Sequence, residues 1–184
     1  MKKVFGSALI LCIAALSVAF VSPTTPPSSN AEEETITWYS WEEAMALHKE
    51  NPKKIFVDVY TDWCGWCKKM DKTTFQDKDV AKVINEHFYA VKFNAEQKDN
   101  VEYKDYTLKY IPNAGRRGVH ELAYALLDGK MGYPAFVYLD EKQDRITISP
   151  GFKDAKTIMK ELTFVGEGHY KDKSFNEFNQ TYGK

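Results

Sequence analysis

Cysteine is scarce. The 184 residues hold 3 of them, and Cys12 falls inside an apolar N-terminal run with Leu11 before it, where a lipid-bearing cysteine would follow a small residue. Cys12 therefore reads as apolar filler. Cys64 and Cys67 remain, too few for a disulfide-dense scaffold. They are also too few for a structural zinc site, which takes four ligands. No second Cys-x-x-Cys or paired histidine is present, and His48, His87, His120 and His169 are scattered singly, so no metal is expected. Covalent haem attachment needs a histidine directly after the second cysteine; Lys68 stands there, which excludes it. Excess charge is missing as well. The net charge is −1, and the clusters "NPKK", "CKKM" and "GRRG" are short and mixed with acids, so they read as solvated surface and no nucleic-acid partner is expected. No internal repeat is visible. The length and the apolar content suffice for one domain with a real core.

One long uncharged apolar run is present, Val4 to Val21. It follows the positive "MKK" and carries a small-x-small "SVA" at Ser17 to Ala19. Residues 1–22 read as a cleaved export signal in preference to a retained N-terminal anchor, because the run is near the lower length limit for spanning a bilayer. The Pro-, Ser- and acid-rich "SPTTPPSSNAEEE" reads as a flexible linker over 23–35, which leaves a folded domain over 36–184. Loss of Lys2 and Lys3 from the 25 basic residues leaves 23 against 26 acidic ones, a charge of −3. A periplasmic or otherwise extracytoplasmic protein is expected.

Along that domain, helix and strand signals alternate. "SWEEAMALHKEN" opens with a capping box, Ser40 with Glu43, and predicts a helix. "KIFVDVY" is β-branched and aromatic with apolar residues on both faces, which predicts a central strand covered on both sides. A helix starts at the cysteines, "DKTTFQDKD" interrupts it, and a second helix follows over Val80 to Glu86. "FYAVKFN" is another buried strand. "VHELAYALLDG" sets Val119, Leu122, Ala123, Leu126 and Leu127 on one helical stripe ended by Gly129. "AFVYLD" and "RITIS" predict a hairpin. "DAKTIMKEL" predicts a helix with Ile158, Met159 and Leu162 facing inward, and Ser174 with Glu177 caps a last short helix. The alternation describes an α/β protein, a mixed sheet with helices on both faces.

The spacing of the cysteines narrows their use. Cys64 at a helix start meets unpaired amide N–H groups and the positive end of the dipole, which stabilise a thiolate. Cys67, one turn later on the same face, is about 5–6 Å away, within bridging reach. So short a loop constrains the unfolded chain little, which makes a structural staple a poor use of it. Redox exchange is the favoured reading, with Cys64 expected to be exposed and reactive and Cys67 shielded. Asp58 is the single charge in "IFVDVY", on the face shared by Phe56 and Tyr60. Burial there raises a carboxyl pKa. Placed beneath Cys67, Asp58 can take and return a thiol proton. The other reading, an exposed carboxylate on an edge strand, fits poorly with so apolar a strand.

At this point the chain resembles the thioredoxin family. "IFVDVYTDWCGWCK" matches the family's strand, acid, aromatic, Trp-Cys-Gly-x-Cys-Lys pattern. "VKFN" is similar to the strand that bears a lysine beside the buried acid, here Lys92. "GYPAFVYLD" looks like the cis-proline segment, here Pro134, and "PGF" puts Gly151 at the family's late glycine. The resemblance runs from about Ile55 to Leu162, and the continuation after the cysteines looks most like exported thioredoxin-like proteins and Dsb-type carrier domains. It implies a thioredoxin fold, with a helical insertion before the cis-proline strand, since forty-one residues separate Lys92 from Pro134. It implies a thiol-disulfide oxidoreductase whose redox-active Cys64-Cys67 disulfide needs no further cofactor. Cys64, Cys67, Asp58 and Lys92 would be catalytic, and Trp63, Trp66, Tyr133 and Pro134 would form the substrate groove.

Disulfide-bearing proteins are the implied substrates, and a membrane thiol donor would recharge a protein acting as a monomer. Trp66 stands where thioredoxins place proline, a departure that bears on the redox potential. The other class of reading is a non-catalytic binding module that keeps the fold and holds a partner in its groove. Tyr103, Tyr106 and Tyr110, in the insertion, are expected to pack in the core against its helix.

Overall fold

The computed structural model describes residues 35–183. The expected signal, the cleavage site and nearly all of the linker lie outside the described residues. Chain order begins with a two-residue strand β1 (Trp38–Tyr39), helix α1 (Trp41–Glu50) and strand β2 (Lys54–Tyr60). Helix α2 (Gly65–Lys72), a 3-10 turn (Thr74–Gln76), helix α3 (Lys78–His87) and strand β3 (Phe88–Asn94) follow. The insertion contributes β4 (Val101–Tyr103), β5 (Tyr106–Leu108), β6 (Tyr110–Ile111), β7 (Val119–His120) and α4 (Glu121–Leu126). The chain then adds β8 (Ala135–Leu139), β9 (Arg145–Pro150), α5 (Ala155–Gly166), a second 3-10 turn and α6 (Phe175–Thr181). Among the described residues no helix is long and apolar enough to cross a membrane.

The sheet order is β1-β3-β2-β8-β9. β1 and β2 run parallel to β3, while β8 pairs antiparallel with β2 and with β9. Alternation along the strands divides the core into two layers. Ile55, Val57, Val59, Val91, Phe93 and Val137 face α1 and α4 through Trp41, Ala44, Leu122 and Leu126. Phe56, Ala90, Phe136 and Tyr138 face α2, α3 and α5 through Met70, Val80, Ile84, Ile158 and Leu162. Both layers are needed because a strand as apolar as β2 exposes hydrocarbon unless both faces are covered. Phe56 stacks on Phe136 at 5.6 Å and touches Tyr138 at 5.4 Å. Truncating Phe56 to alanine should cost roughly 3–5 kcal/mol.

Helix starts follow their capping residues. The Ser40 hydroxyl accepts from Glu43 N–H, and the Glu43 carboxylate accepts from Ser40 N–H. Asp77 caps α3, Asp154 caps α5, and Ser174 with Glu177 repeats the box at α6. Each satisfies amides that the first turn leaves without partners. The sheet's edges are modest: β1 pairs at two positions, and β9 alternates exposed and half-buried residues, shifts register beside Tyr138 and Leu139, and ends in Pro150.

The tyrosines of the insertion depart from expectation. They lie on short strands, and only Tyr103 packs against the core, edge-on to Trp41 of α1 at 5.3 Å. Tyr106 is exposed, and Tyr110 is half-buried with its hydroxyl donating to Arg117 O at 2.5 Å. Tyr103 and Tyr106 are register partners in the β4–β5 hairpin and share a face of that ribbon, yet only Tyr103 reaches the core.

Candidate active site

At the turn out of β2, Cys64 N–H donates to Thr61 O at 3.0 Å, and Cys64 becomes the N-cap of α2. Its Sγ accepts from the Cys67 amide at 3.1 Å. The two cysteines are joined in a disulfide with Cα atoms 5.3 Å apart. Reduction would leave the Cys64 sulfur at the positive end of α2 with an amide aimed at it, which favours a thiolate there. The expected difference in exposure is absent: in this oxidised state Cys64 is 4% and Cys67 3% exposed. Position at the helix end therefore distinguishes the two sulfurs where exposure does not.

Trp63 and Trp66 are themselves half-exposed but part company. Trp63 meets Tyr133 edge-on at 5.9 Å, and its indole N–H donates to Glu96 Oε1 at 2.8 Å. Trp66 lies against Phe152 at 5.1 Å, with Lys69 Nζ 5.1 Å over its ring. Trp63 and Tyr133 therefore form one apolar patch, and Trp66 belongs to another. The Tyr133–Pro134 peptide bond is cis. Pro134 O accepts from the N–H of Gly151, whose φ of +89° suits glycine. Burial, with Glu96 adding to it, pushes the Tyr133 phenol up to about 12, so this ring contributes surface and no acid-base chemistry near neutrality.

Asp58 and Lys92 are register partners in the parallel pair β2 and β3. Both point into the layer that holds α2, and Lys92 Nζ donates to Asp58 Oδ2 at 2.8 Å. Asp58 is 1% exposed, and its other oxygen, Oδ1, has no hydrogen-bond partner. Burial raises its pKa to about 6, against the opposing pull of Lys92 and with a smaller push from Asp71. Burial alone would lower the Lys92 pKa, but Asp58 and Asp71 outweigh it and hold the ammonium above its ordinary value. The result is a charged lysine against a carboxyl that gains or loses a proton close to physiological pH, with one oxygen free to carry it.

Some members of this arrangement go beyond the sequence reading. Asp71, on α2, also takes a hydrogen bond from Lys92 Nζ, so the lysine ties the sheet to the cysteine helix. The i, i+4 spacing from Cys67 places Asp71 on the inward side of α2 and would have flagged it. Phe152, Glu96 and Arg117 contact the tryptophans from distant segments, and no local signal marks them. Among the described residues no group of three or more His, Cys, Asp or Glu side chains is placed to hold a metal ion.

Residues 22–165 match the family model Thioredox_DsbH, described as a protein of unknown function, DUF255. The chain belongs to that family. Among curated relatives of this thioredoxin-like chain, spermatogenesis-associated protein 20 of Mus musculus is 32% identical over 68 residues, 36% of this chain and 9% of that protein. The thiol:disulfide interchange protein DsbD of Escherichia coli is 25% identical over 123 residues, 64% of this chain and 18% of that protein. The thioredoxin-like chain thus spans less than a fifth of the length of these relatives. Among solved structures, a thioredoxin-fold protein from Helicobacter pylori has a TM-score of 0.56 at 19% identity, over 80% of this chain and 87% of that one. A thioredoxin from Thermus thermophilus has a TM-score of 0.54 at 18% identity, over 82% and 99%. These likenesses establish the thioredoxin fold expected from the sequence. The helical insertion before the cis-proline strand is there too, as α4 with its two small hairpins.

Proposed function

We propose that this thioredoxin-like protein is an exported thiol-disulfide oxidoreductase that reduces or exchanges disulfides in protein substrates. The observation that carries the reading is the Cys64-Cys67 pair at the start of α2, in the same layer as a buried Asp58 with one free oxygen. Starting from the dithiol, the Cys64 thiolate attacks one sulfur of a substrate disulfide. The S–S bond breaks, one substrate thiolate leaves, and a Cys64-substrate mixed disulfide forms. Cys67 then gives its proton to Asp58 Oδ1, directly or through a water, and its thiolate attacks Cys64 Sγ. The second substrate thiolate leaves and the Cys64-Cys67 bond closes, so two electrons pass from the protein to the substrate. Lys92, held by Asp58 and Asp71, steadies the carboxylate once the proton has moved on. By resemblance, the Tyr133 backbone beside Pro134 pairs with an extended substrate, while Trp63 and Trp66 bracket the cysteines. A thiol donor in the membrane would restore the dithiol, and the protein would act outside the cytoplasm as a monomer.

Insulin reduction with a dithiol donor tests this. The wild type should accelerate it, Cys64→Ser should abolish the effect, and Cys67→Ser should accumulate a mixed disulfide through Cys64. Trapping by Cys64→Ser instead would invert the roles, and no acceleration by the wild type would favour a binding module. Export is tested by the intact mass of the protein from its native host, which should lack about twenty N-terminal residues. A full-length mass in the membrane fraction would point to an anchor.

A further inference from the structure

The insertion between β3 and β8 folds back beside the cysteines and leaves a cavity of about 640 Å³. That lies within the roughly 300–1,000 Å³ typical of ligand pockets. Trp63, next to Cys64 in the chain, and Tyr133, next to Pro134, form the near wall. Arg116, Arg117 and Gly118 form part of the far wall, in the loop that joins β6 to β7.

That loop is held on both flanks. Tyr110 and Ile111 pair with His120 and Val119, and the Tyr110 hydroxyl bonds to Arg117 O at 2.5 Å. Gly118 has φ +79°, and a Cβ there would collide with the Tyr110 hydroxyl and come within 2.9 Å of Ile111 O. His120 N–H donates to Ala95 O at 2.8 Å, which fastens the hairpin just beyond β3. The His120 ring accepts from Leu122 N–H at Nδ1 and meets Asp99 O at Nε2. The Arg117 guanidinium lies 5.6 Å over the Trp63 ring, so the far wall touches the near one.

The charge in this cavity is unbalanced. Among the described residues, neither Arg116 nor Arg117 forms an ion pair. The one carboxylate in the lining is Glu96, and its Oε1 already accepts from Trp63. Nearby charges are engaged elsewhere: Glu121 accepts from Lys109 N–H, and Asp128 pairs with Arg145. Two guanidinium groups beside aromatic walls suit a carboxylate carried on a short apolar stem.

We propose that this cavity is a specificity subsite for the polypeptide flanking the target cysteine, and that it selects a glutamate or aspartate there. The carboxylate would meet Arg116 and Arg117, and the stem would lie along Trp63 and Tyr133. Trp63 adjoins Cys64 in the chain and the Arg117 guanidinium lies 5.6 Å over its ring, so at about 3.3 Å per extended residue the selected acid is assigned to a position a few residues from the reacting cysteine. The assignment rests on the redox reading above and adds a substrate class to it.

The test compares kcat/KM for three peptide disulfides that differ at one position, three residues from the cysteine, occupied by Glu, Gln or Lys. Bis(2-hydroxyethyl) disulfide, small and uncharged, reports on the redox centre alone. Wild-type protein should turn over all four and prefer Glu to Gln by about tenfold, the difference between a charge-assisted and a neutral hydrogen bond. In the Arg116→Glu/Arg117→Glu variant the Glu-to-Lys ratio should invert. Failure of the wild type on every substrate, the uncharged one included, would sink the redox reading itself. Turnover with no preference among the peptides would overturn the subsite and leave that reading standing, as would a preference unchanged in the variant. Should the variant not fold, a salt series on the wild type decides. The preference should shrink toward unity by about 0.5 M salt, and a salt-independent preference overturns the proposal.

Discussion

Replacing Asp58 with asparagine should stabilise the protein at neutral pH while slowing its turnover. An ordinary aspartate titrates at 3.8, and this one at about 6, chiefly because it is buried. Between those values the folded protein keeps a proton that the unfolded chain has released. The contribution of Asp58 to stability is therefore full below about pH 3.8 and drains away as pH rises through about 6. At about 1.4 kcal/mol per pH unit, the loss by pH 7 is roughly 3 kcal/mol. Asparagine removes that penalty but also takes a partner from Lys92. The lysine side chain is 22% exposed and keeps Asp71, so a net gain of about 2 kcal/mol is expected at pH 7. With a urea slope of about 1–3 kcal/mol per molar, the unfolding midpoint should rise by about 1 M. Near pH 4 the wild-type carboxyl is itself protonated in the fold and nearly the same shape as asparagine, so the two midpoints should converge. Paired urea titrations at pH 4 and pH 8 are the assay. A wild type at least as stable as the variant at pH 8, or a gap that does not narrow toward pH 4, would refute the reasoning.

Asp71→Asn should lower the Asp58 pKa, because it removes a nearby negative charge and leaves Lys92 to Asp58 alone; a carboxyl resonance that titrates unchanged or higher would count against it. His120 has its pKa lowered, first by burial, and its neutral ring caps α4, so this contribution is present above the unfolded value of 6.5 and is lost as pH falls below it. Hydrogen exchange across 119–127, corrected for intrinsic rates, should be faster at pH 5 than at pH 7; an equal change throughout β2 and β3 would instead mean global loosening. Equilibration with glutathione should place the Cys64-Cys67 midpoint nearer about −270 mV than about −120 mV, since an Asp58 carboxylate disfavours a second negative charge on the cysteines. A midpoint above about −160 mV that Asp58→Asn leaves unmoved would argue for an oxidant instead.

The parts legible in the sequence are those set by short-range rules. Capping boxes at Ser40 and Ser174 mark helix starts, and the doubly apolar β2 and β3 declare a covered sheet. The burial of Asp58 follows from its neighbours along the strand. What escaped depends on where distant segments meet. Trp66 and Trp63 lie three apart in sequence on either side of the helix start, yet Phe152 packs on one while Tyr133 and Arg117 hold the other. The small strands of the insertion are too short for alternation to register, so their tyrosines look like core residues. The equal burial of the two cysteines belongs to the folded, disulfide-bonded site, and helix periodicity carries no information about it.

The edges of the five-stranded sheet have a consequence for how the protein meets other chains. Any extended segment that drifts against an open row of backbone donors and acceptors tends to stick there, and stacking of such rows is a route to aggregates. Here one outer strand offers only Trp38 and Tyr39. The other presents Arg145 and Thr147 to solvent, breaks step beside Tyr138, and stops at a proline that has no amide to give. Neither rim of this sheet makes a good template for strand-by-strand growth.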